Sequence, residues 1–287
     1  AVSIVQNRIK EKYFLKEYGI PVGHYVVINN IEAIKNIDEQ HKIFPGILKT
    51  AQFGYDGKGQ IHVNNIIEVE NAFITFDNAP CILEKKLDLD LEFSIVLARS
   101  VNGEYLEYPL IENHHKNGIL DFSLIPARVP SLLEGQATKL AMKIANDLSY
   151  IGVMAVEFFI SKNRLYVNEI APRPHNSGHF SIDACVYNQF DQQVLALIGN
   201  KPKNEATKFP KSLMLNILGD LWFRNGKQME PKFEMIAGLG ISLHLYGKAD
   251  PRKGRKMGHI TILGLENQTQ EDLMQKTDAI RKILWEN

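Results

Sequence analysis

The chain reads as an α+β protein, and three observations carry that expectation. Strands and helices alternate irregularly along the 287 residues, unlike the steady alternation of a doubly wound parallel sheet. Two short polar turns, Asn102-Gly103 and Ser161-Lys162-Asn163, each join apolar β-forming runs, which is the pattern of antiparallel hairpins. Finally, the glycine-rich stretch 53–60 lies between two predicted strands and has neither P-loop nor dinucleotide-binding spacing.

The elements follow in order. Asn7 caps a helix running to about Tyr18, with Ile9, Phe14, Leu15 and Tyr18 as its apolar stripe, and Gly19 and Pro21 end it. A strand over 25–28, a polar helix over 31–41 and a strand over 46–49 come next. A glycine loop over 54–59 leads into a strand over 60–63. Strands over 81–84 and 92–99 precede the Asn102-Gly103 turn, and a return strand covers 105–111. Ser131 opens an amphipathic helix with Leu133, Ala137, Leu140, Ala141, Ile144 and Leu148 on one side. Strands over 153–160 and 164–170 form the second hairpin, and a helix over 188–198 stops at Gly199. The polar stretch 200–210, with two prolines, is a boundary. Beyond it, strands over 212–218, 240–246 and 259–263 make a small β unit, closed by a helix that starts after Thr269 with Asp272 in its first turn.

Composition excludes several classes. With 45% hydrophobic and 23% charged residues, the chain suits a soluble globular protein with a real core. A formal net charge of zero argues against nucleic-acid binding by bulk electrostatics. No apolar run is long enough to span a bilayer. Cys81 and Cys185 lie far apart in sequence and fit neither a zinc pattern nor a redox pair, so buried thiols in a reducing, cytoplasmic compartment are expected.

The most informative chemistry lies in the second hairpin. Glu157 and Glu169 centre on residue 163, inside the turn, so they face each other, or nearly so, across the two strands. Two carboxylates that close repel unless a proton or cation lies between them. Hard oxygen donors without a nearby Cys favour Mg²⁺, which also shares substrate phosphates. Spacing alone leaves a second reading, in which both glutamates lie on a solvated face. The segment after the strand favours the first: Arg173, His175, Asn176 and His179 crowd a loop stiffened by Pro172 and Pro174.

Two further segments suggest anion binding. Gly54, Tyr55, Asp56, Gly57, Lys58, Gly59 and Gln60 form either a hairpin turn or a flap whose N–H groups close over phosphates. Lys49 ends the apolar strand before it and is placed as a point charge for phosphate or as a snorkelling edge lysine. Glu84 and Glu92 suit ribose hydroxyls or an adenine amine, though acids at such places are commonly solvated. The loop 248–259 gathers Lys248, Arg252, Lys253, Arg255 and Lys256 around Gly254, as a solvated basic loop or as a pocket for a phosphate monoester. It has no interleaved aromatic residues, which argues against nucleic acid.

Together these segments resemble the ATP-grasp superfamily and, within it, the 5-(carboxyamino)imidazole ribonucleotide synthases. The resemblance rests on Gly54 to Gln60, on Asn168 to His179 and on Gly254 to His259, and extends from Asn7 onward. It implies an ATP-grasp fold, two α+β subdomains sandwiching ATP, with a small C-terminal β domain. The corresponding division is a lid with its leading helix over 1–82, a large subdomain over 83–205, and the β domain with the final helix over 206–287. The family normally begins with a Rossmann-like domain carrying a Gly-Gly-Gly-Gln-Leu-Gly type turn. No such turn occurs here, so the chain is expected to lack roughly 100 residues of its family's length.

The resemblance also implies a reaction: ATP- and bicarbonate-dependent carboxylation of 5-aminoimidazole ribonucleotide through carboxyphosphate, in purine biosynthesis. Glu157 and Glu169 would hold Mg²⁺, with Mn²⁺ able to substitute. Arg8, Lys49 and the 54–60 flap would hold ATP phosphates. Glu84 and the backbone of Lys85, Lys86 and Leu87 would read adenine, Glu92 the ribose, and His115, or its neighbour His114, the nucleotide side. Asn168 belongs to the nucleotide–metal site. Arg173, His175 and Asn176 would hold bicarbonate or CO₂ and orient the amine. Tyr55 and Asp56 would approach the imidazole, and Lys248 and Arg255 the 5′-phosphate. The expected partners are small molecules only, with no nucleic acid and no membrane, in a homodimer. Two rivals stand: an ATP-grasp ligase that activates formate or an amino acid as an acyl phosphate, and a non-catalytic nucleotide-binding module.

Overall fold

The computed structural model describes residues 1–37, 42–52, 54, 59–203, 207–224 and 226–286. They form two compact units. The first comprises Ala1–Glu92, Ser131–Tyr150 and Met154–Arg173, and the second comprises Phe93–Pro130, Ile151–Val153 and Pro174–Asn287.

In the first unit, four antiparallel strands lie in the order Tyr25–Ile28, Cys81–Lys85, Gly46–Thr50, Gln60–Val63. Helices Ile31–Lys35 and Ile66–Thr75 bury Ile34, Val69, Ala72 and Phe73 against Ile28, Leu48, Val63 and Leu83. Fully burying such a side chain contributes roughly 1.5–3 kcal/mol. The first of these helices is shorter than predicted, and residues 38–41 of the expected span lie outside the described residues. The second was not anticipated. Its signal is Asn65 followed three residues later by Glu68. Asn65 Oδ1 accepts the Glu68 N–H at 2.9 Å, and Asn65 Nδ2 donates to Glu68 Oε1 at 2.9 Å.

Asn7 caps the helix Arg8–Glu17 as expected, accepting from Ile9 N and Lys10 N, and Gly19 stops it with φ +68. The predicted stripe needs correction. Phe14 and Leu15 are buried, but Tyr18 is 41% exposed, and Glu11 and Lys12 occupy the buried face. The helix Ser131–Asp147 buries Leu133, Ala137, Ala141 and Ile144, much as read.

The hairpin Gly152–Ser161/Arg164–Ala171 belongs to this unit from Met154 onward. Its turn is the two residues Lys162 and Asn163, at φ 51 and 57, and Ser161 ends the strand rather than joining the turn. The second strand is tied to the segment that follows the helix Arg8–Glu17, Val167 N–H donating to Pro21 O at 2.8 Å.

The second unit is built on antiparallel strands. Leu91–Arg99 pairs along one edge with Tyr105–Glu107 and then with Ile111–Lys116. The sheet continues through Ile119–Ile125, Lys211–Leu218, Lys256–Gly264 and Ile241–Leu245. The predicted strand over 105–111 is broken at Glu107, just before Tyr108-Pro109, because proline has no N–H for the ladder. The hairpin at Asn117-Gly118 was unanticipated, although both residues have positive φ (53 and 75) and Asn-Gly is a strong hairpin signal. The C-terminal strands therefore extend the sheet begun by residues 93–125. Leu213, Leu215 and Ile217 alternate toward the helix Gln270–Glu286, which returns Leu273, Ile280 and Leu284. That helix starts as predicted: Thr269 N–H donates to Asp272 Oδ2 at 2.7 Å and Asp272 N–H to Thr269 Oγ1 at 3.1 Å. Asn188 and Asp191 make a capping box on Gln189–Leu197. Cys81 and Cys185 are buried free thiols, pushed up by burial to about 11 and about 12. Among the described residues, no helix is long and apolar enough to cross a membrane.

Candidate functional site

The two strands of the second hairpin would not, by themselves, bring Glu157 opposite Glu169. From the two-residue turn, Arg164 pairs with Ser161 and Val167 with Phe158. Continued without change, that register would set Asn168 against Glu157 and turn Glu169 toward the face of Val167. A bulge at Asn168 inserts one residue, and Glu169 pairs with Glu157. Asn168 and Glu169 thus stand together against one carboxylate, and Asn168 Nδ2 donates to Glu157 Oε2 at 3.1 Å. The expectation that the glutamates face each other holds, with the bulge as its cause.

The helix Arg8–Glu17 supplies the surroundings. Arg8 Nη1 donates to Glu169 Oε2 at 3.0 Å, and the Glu169 side chain is 40% exposed. Lys12 Nζ donates to Asn168 O at 2.8 Å. Glu11 Oε1 accepts the Ile170 N–H at 2.6 Å. Burial, and then repulsion from Glu169, push the Glu11 carboxyl up to about 8. Two half-buried carboxylates on one face, with the Asn168 amide beside Glu157, make a donor set for a hard divalent cation. Such a cation would also relieve the repulsion felt by Glu11. The residues present therefore fit Mg²⁺.

Lys49 and Glu84, expected to touch opposite ends of a nucleotide, form one ion pair: Lys49 Nζ lies 2.5 Å from Glu84 Oε2. Lys12 Nζ lies 3.4 Å from Glu84 Oε1. The Glu84 side chain is only 12% exposed, so it is not a solvated acid. Burial raises its carboxyl, but Lys12 and Lys49 outweigh that and hold it at about 2. The backbone N–H groups of Lys85 and Lys86 are used by His24 O and Pro45 O, both at 2.9 Å. A base read here would meet carbonyls, or the N–H of Leu87. Gly54, Gly59 and Gln60 are described, whereas Tyr55, Asp56, Gly57 and Lys58 lie outside the described residues. A Cβ on Gly59, at φ +71, would meet Thr50 Oγ1 at 2.6 Å, so this end of the segment requires glycine. Glu92 is half-buried at the start of its strand.

In the second unit, the loop after Arg173 is held by uncharged groups. His175 Nδ1 lies 2.8 Å from Ser177 Oγ, which lies 2.7 Å from Ser94 Oγ. Asn113 Nδ2 donates to Ser94 Oγ at 3.0 Å, and Ser123 Oγ donates to Asn113 Oδ1 at 2.9 Å. Gln189 clamps the His175 backbone, accepting its N–H and donating to its carbonyl, each at 2.8 Å. The Asn176 and Asn216 amides exchange hydrogen bonds at 3.0 and 2.8 Å. A Cβ on Gly178 would meet Gln189 Oε1 at 2.6 Å, which explains the glycine. Arg173 is exposed. Ser94, Asn113, Gln189 and Asn216 were missed from the sequence. For Ser94 and Asn216 the signal is a small or amide polar residue inside an apolar run, Phe93-Ser94-Ile95 and Leu215-Asn216-Ile217, whereas Asn113 and Gln189 adjoin polar residues and carry no such signal.

His114 and His115 separate cleanly. His114 Nε2 lies 2.7 Å from Glu112 Oε1, and its ring stacks on Phe122 at 4.2 Å, whereas His115 is exposed beyond a register shift. The basic loop is less positive than its sequence suggests. Asp250 pairs with Arg252 at 2.5 Å, and its carbonyl takes Arg255 Nη1 at 2.5 Å. Lys248 is exposed; its Nζ donates to Lys256 O at 2.5 Å and lies 5.3 Å from the Tyr246 ring centroid.

This constellation of acidic ribbon, lysine–glutamate pair and glycine segment is that of an ATP-grasp enzyme, and residues 13–190 match the ATP-grasp domain family. Residues 212–273 match the phosphoribosylaminoimidazole carboxylase C-terminal domain. A curated N5-carboxyaminoimidazole ribonucleotide synthase of Staphylococcus aureus (strain MRSA252) is 38% identical over 286 residues, which cover 97% of this chain and 73% of the relative. A crystal structure of the Staphylococcus aureus synthetase complexed with ADP superposes with TM-score 0.81 at 37% identity, covering 96% of this chain and 72% of that one. An Aspergillus clavatus synthase in complex with ADP and 5-aminoimidazole ribonucleotide superposes with TM-score 0.83 at 26% identity, covering 99% and 73%. The chain belongs to the N5-carboxyaminoimidazole ribonucleotide synthase family, whose members are ATP-dependent ligases of purine biosynthesis.

Proposed function

We propose that the chain carboxylates 5-aminoimidazole ribonucleotide to N5-carboxyaminoimidazole ribonucleotide, using ATP and bicarbonate, with carboxyphosphate as the intermediate. Membership of the synthase family supports the reaction, and the ligands named with its solved relatives support the substrates. The observation in this chain that carries the reading is the bulge that sets Asn168 and Glu169 beside Glu157.

Glu157 and Glu169, with Asn168, would hold Mg²⁺ or Mn²⁺, which when bound neutralises phosphate charge. Arg8, Lys49 and the segment from Gly54 to Gln60 would position the phosphates. Glu84 and the backbone of Lys85, Lys86 and Leu87 would take the base, Glu92 the ribose, and His115 the nucleotide side. A bicarbonate oxygen attacks the γ-phosphorus and ADP leaves. The C–O bond to phosphate then breaks, as the exocyclic amine nitrogen attacks the carboxyl carbon directly or after release of CO₂, and the departing phosphate takes the amine proton. Arg173, His175 and Asn176 would hold the carboxyl source, with His175 and Asn176 fixed by the buried polar network rather than by charge. Tyr55 and Asp56 would approach the imidazole, and Lys248 and Arg255 its 5′-phosphate. We assign the lid to residues 1–82, the large subdomain to 83–205 and the C-terminal domain to 206–287, in a cytoplasmic homodimer.

ADP release measured with ribonucleotide and either bicarbonate or formate tests the reaction. Dependence on bicarbonate is expected, and formate-driven turnover indifferent to bicarbonate refutes it. Lys248→Ala should raise KM for the ribonucleotide about tenfold, near 1.4 kcal/mol, and leave KM for ATP unchanged. Equal effects on both would refute the phosphate role.

A further inference from the structure

Three potential ligand groups converge in the second unit, apart from the residues assigned above. His244 and His259 are direct partners on strands Ile241–Leu245 and Lys256–Gly264, so their rings share one face. The rings stack, with centroids 4.6 Å apart and planes 17° apart. Asp183, on the short helix Ser181–Ala184, places its carboxylate oxygens 3.0 and 3.1 Å from His244 Nε2. One ligand atom from each of Asp183, His244 and His259 lies within 4.8 Å of the other two.

The orientation of His259 supplies an independent observation. This histidine is 1% exposed. Its Nδ1 is 2.9 Å from Tyr246 Oη, yet its Nε2 is buried and finds no hydrogen-bond partner among the described residues. A buried imidazole nitrogen left unpaired costs about 1–3 kcal/mol, so its position calls for a ligand.

We propose that Asp183, His244 and His259 bind a divalent ion of borderline softness, Zn²⁺ being the type case. Two imidazoles and one carboxylate suit such an ion, whereas Mg²⁺ prefers an all-oxygen set. Ligand atoms about 2.0–2.1 Å from a tetrahedral zinc lie about 3.3 Å from one another. The Asp183–His244 separation is already close to that edge, and His244, about one-third exposed, can adjust toward His259. Binding replaces the proton shared by His244 Nε2 and the Asp183 carboxylate, and that proton passes to solvent. Tyr246 acts from behind: with its Oη 2.9 Å from His259 Nδ1, it would accept the Nδ1–H of the tautomer that presents Nε2 to the metal. The fourth position is left for water, and the site is separate in composition from the Glu157/Glu169 pair.

The full chain, stripped with chelator, is titrated with Co²⁺ and followed by visible absorption and by metal analysis, then challenged with Zn²⁺. One equivalent of Co²⁺ with tetrahedral d–d bands, displaced by Zn²⁺, is expected. Asp183→Asn and His244→Gln, both at partly exposed positions and so tolerable to the fold, should each weaken binding at least tenfold. Tyr246→Phe should weaken it about 10–100-fold, as loss of an orienting partner does. Glu169→Gln should leave it unchanged. Absence of Co²⁺ uptake, or uptake equal in wild type and Asp183→Asn, overturns the proposal, whatever the outcome for carboxylation.

Discussion

Glu84 and Ser94 are both nearly hidden from solvent, and both brace residues assigned to the chemistry, but they do so by different means. Around Glu84 the polar groups are ionisable: Lys12 and Lys49 converge on one carboxylate, and the helix Arg8–Glu17 sends Glu11 and Arg8 toward the acidic ribbon. Around Ser94 they are hydroxyls and amides, linked from Ser123 through Asn113 to Ser177 and His175. A charged network responds as a whole when one member gains or loses charge. A neutral one is insensitive to such changes and fixes geometry. A site that binds a metal and a triphosphate needs charges able to redistribute, while the loop proposed to hold a small carboxyl source needs only position.

The most severe way to break the charged half is Glu169→Gln. It keeps shape but removes one hard anionic ligand and the partner of Arg8. ATP turnover should fall at least 10²-fold, the scale of losing one essential electrostatic group, with little change in melting temperature. Normal turnover would show that the ribbon does not hold the metal. Glu84→Gln should act on the fold as well as on base binding. It removes the counter-charge of two buried ammonium groups and should cost about 3 kcal/mol at pH 7, read from urea midpoints. The folded-state pKa of Glu84 is depressed to about 2, so its stabilisation is complete above the ordinary carboxylate value and is lost as pH falls through about 2. The variant's deficit should therefore shrink on acidification. A deficit unchanged between pH 7 and pH 3 would mean that packing, not charge, is at stake.

Glu11 sharpens the contrast because its shift has the opposite sign. Its folded-state pKa is raised to about 8, so its contribution is full below the ordinary carboxylate value and declines as pH rises through about 8. Wild-type stability should carry this decline between pH 5 and 8. In Glu11→Gln, whose amide oxygen can still accept the Ile170 N–H, the decline should be shallower. Parallel curves for the two proteins would show that Glu11 stays ionised, with Arg8 and Lys12 in control.

Much of this was legible in the sequence, for identifiable reasons. The cap at Asn7, the stop at Gly19, the capping of the last helix and the hairpin carrying Glu157 and Glu169 are local, and local chemistry is written in adjacent residues. The bulge at Asn168 was not legible, since nothing in Tyr-Val-Asn-Glu-Ile marks an inserted residue. The facing of the two glutamates followed from a turn read one residue too long, an error that the bulge offset. Glu11 and Lys12 were missed because a charged pair on a helix ordinarily faces water. Only the assembled unit shows that each finds its partner more than 70 residues away, Glu11 at Ile170 and Lys12 at Glu84 and Asn168. Ser94 was hidden for the converse reason, as a small residue inside an apolar strand gives no hint of the amide it will meet.

Ser94→Ala is the smallest perturbation and the one that isolates the neutral network. The substitution removes one oxygen, leaves Asn113 Nδ2 without that acceptor and Ser177 Oγ without that neighbour, and adds no charge. Leaving such buried groups unpaired should cost about 1–2 kcal/mol. Because no ionisable group is lost, the cost should be the same at pH 7 and pH 9, where Glu11→Gln and wild type diverge. His175 keeps its backbone clamp from Gln189 but loses part of the support behind Ser177, so its ring should wander while the nucleotide residues of the first unit stay put. The expected kinetic result is a few-fold loss of kcat with KM for ATP unchanged. A shift in KM for ATP instead would show that the two networks are not independent, and the distinction between movable charge and fixed geometry would fail at that point.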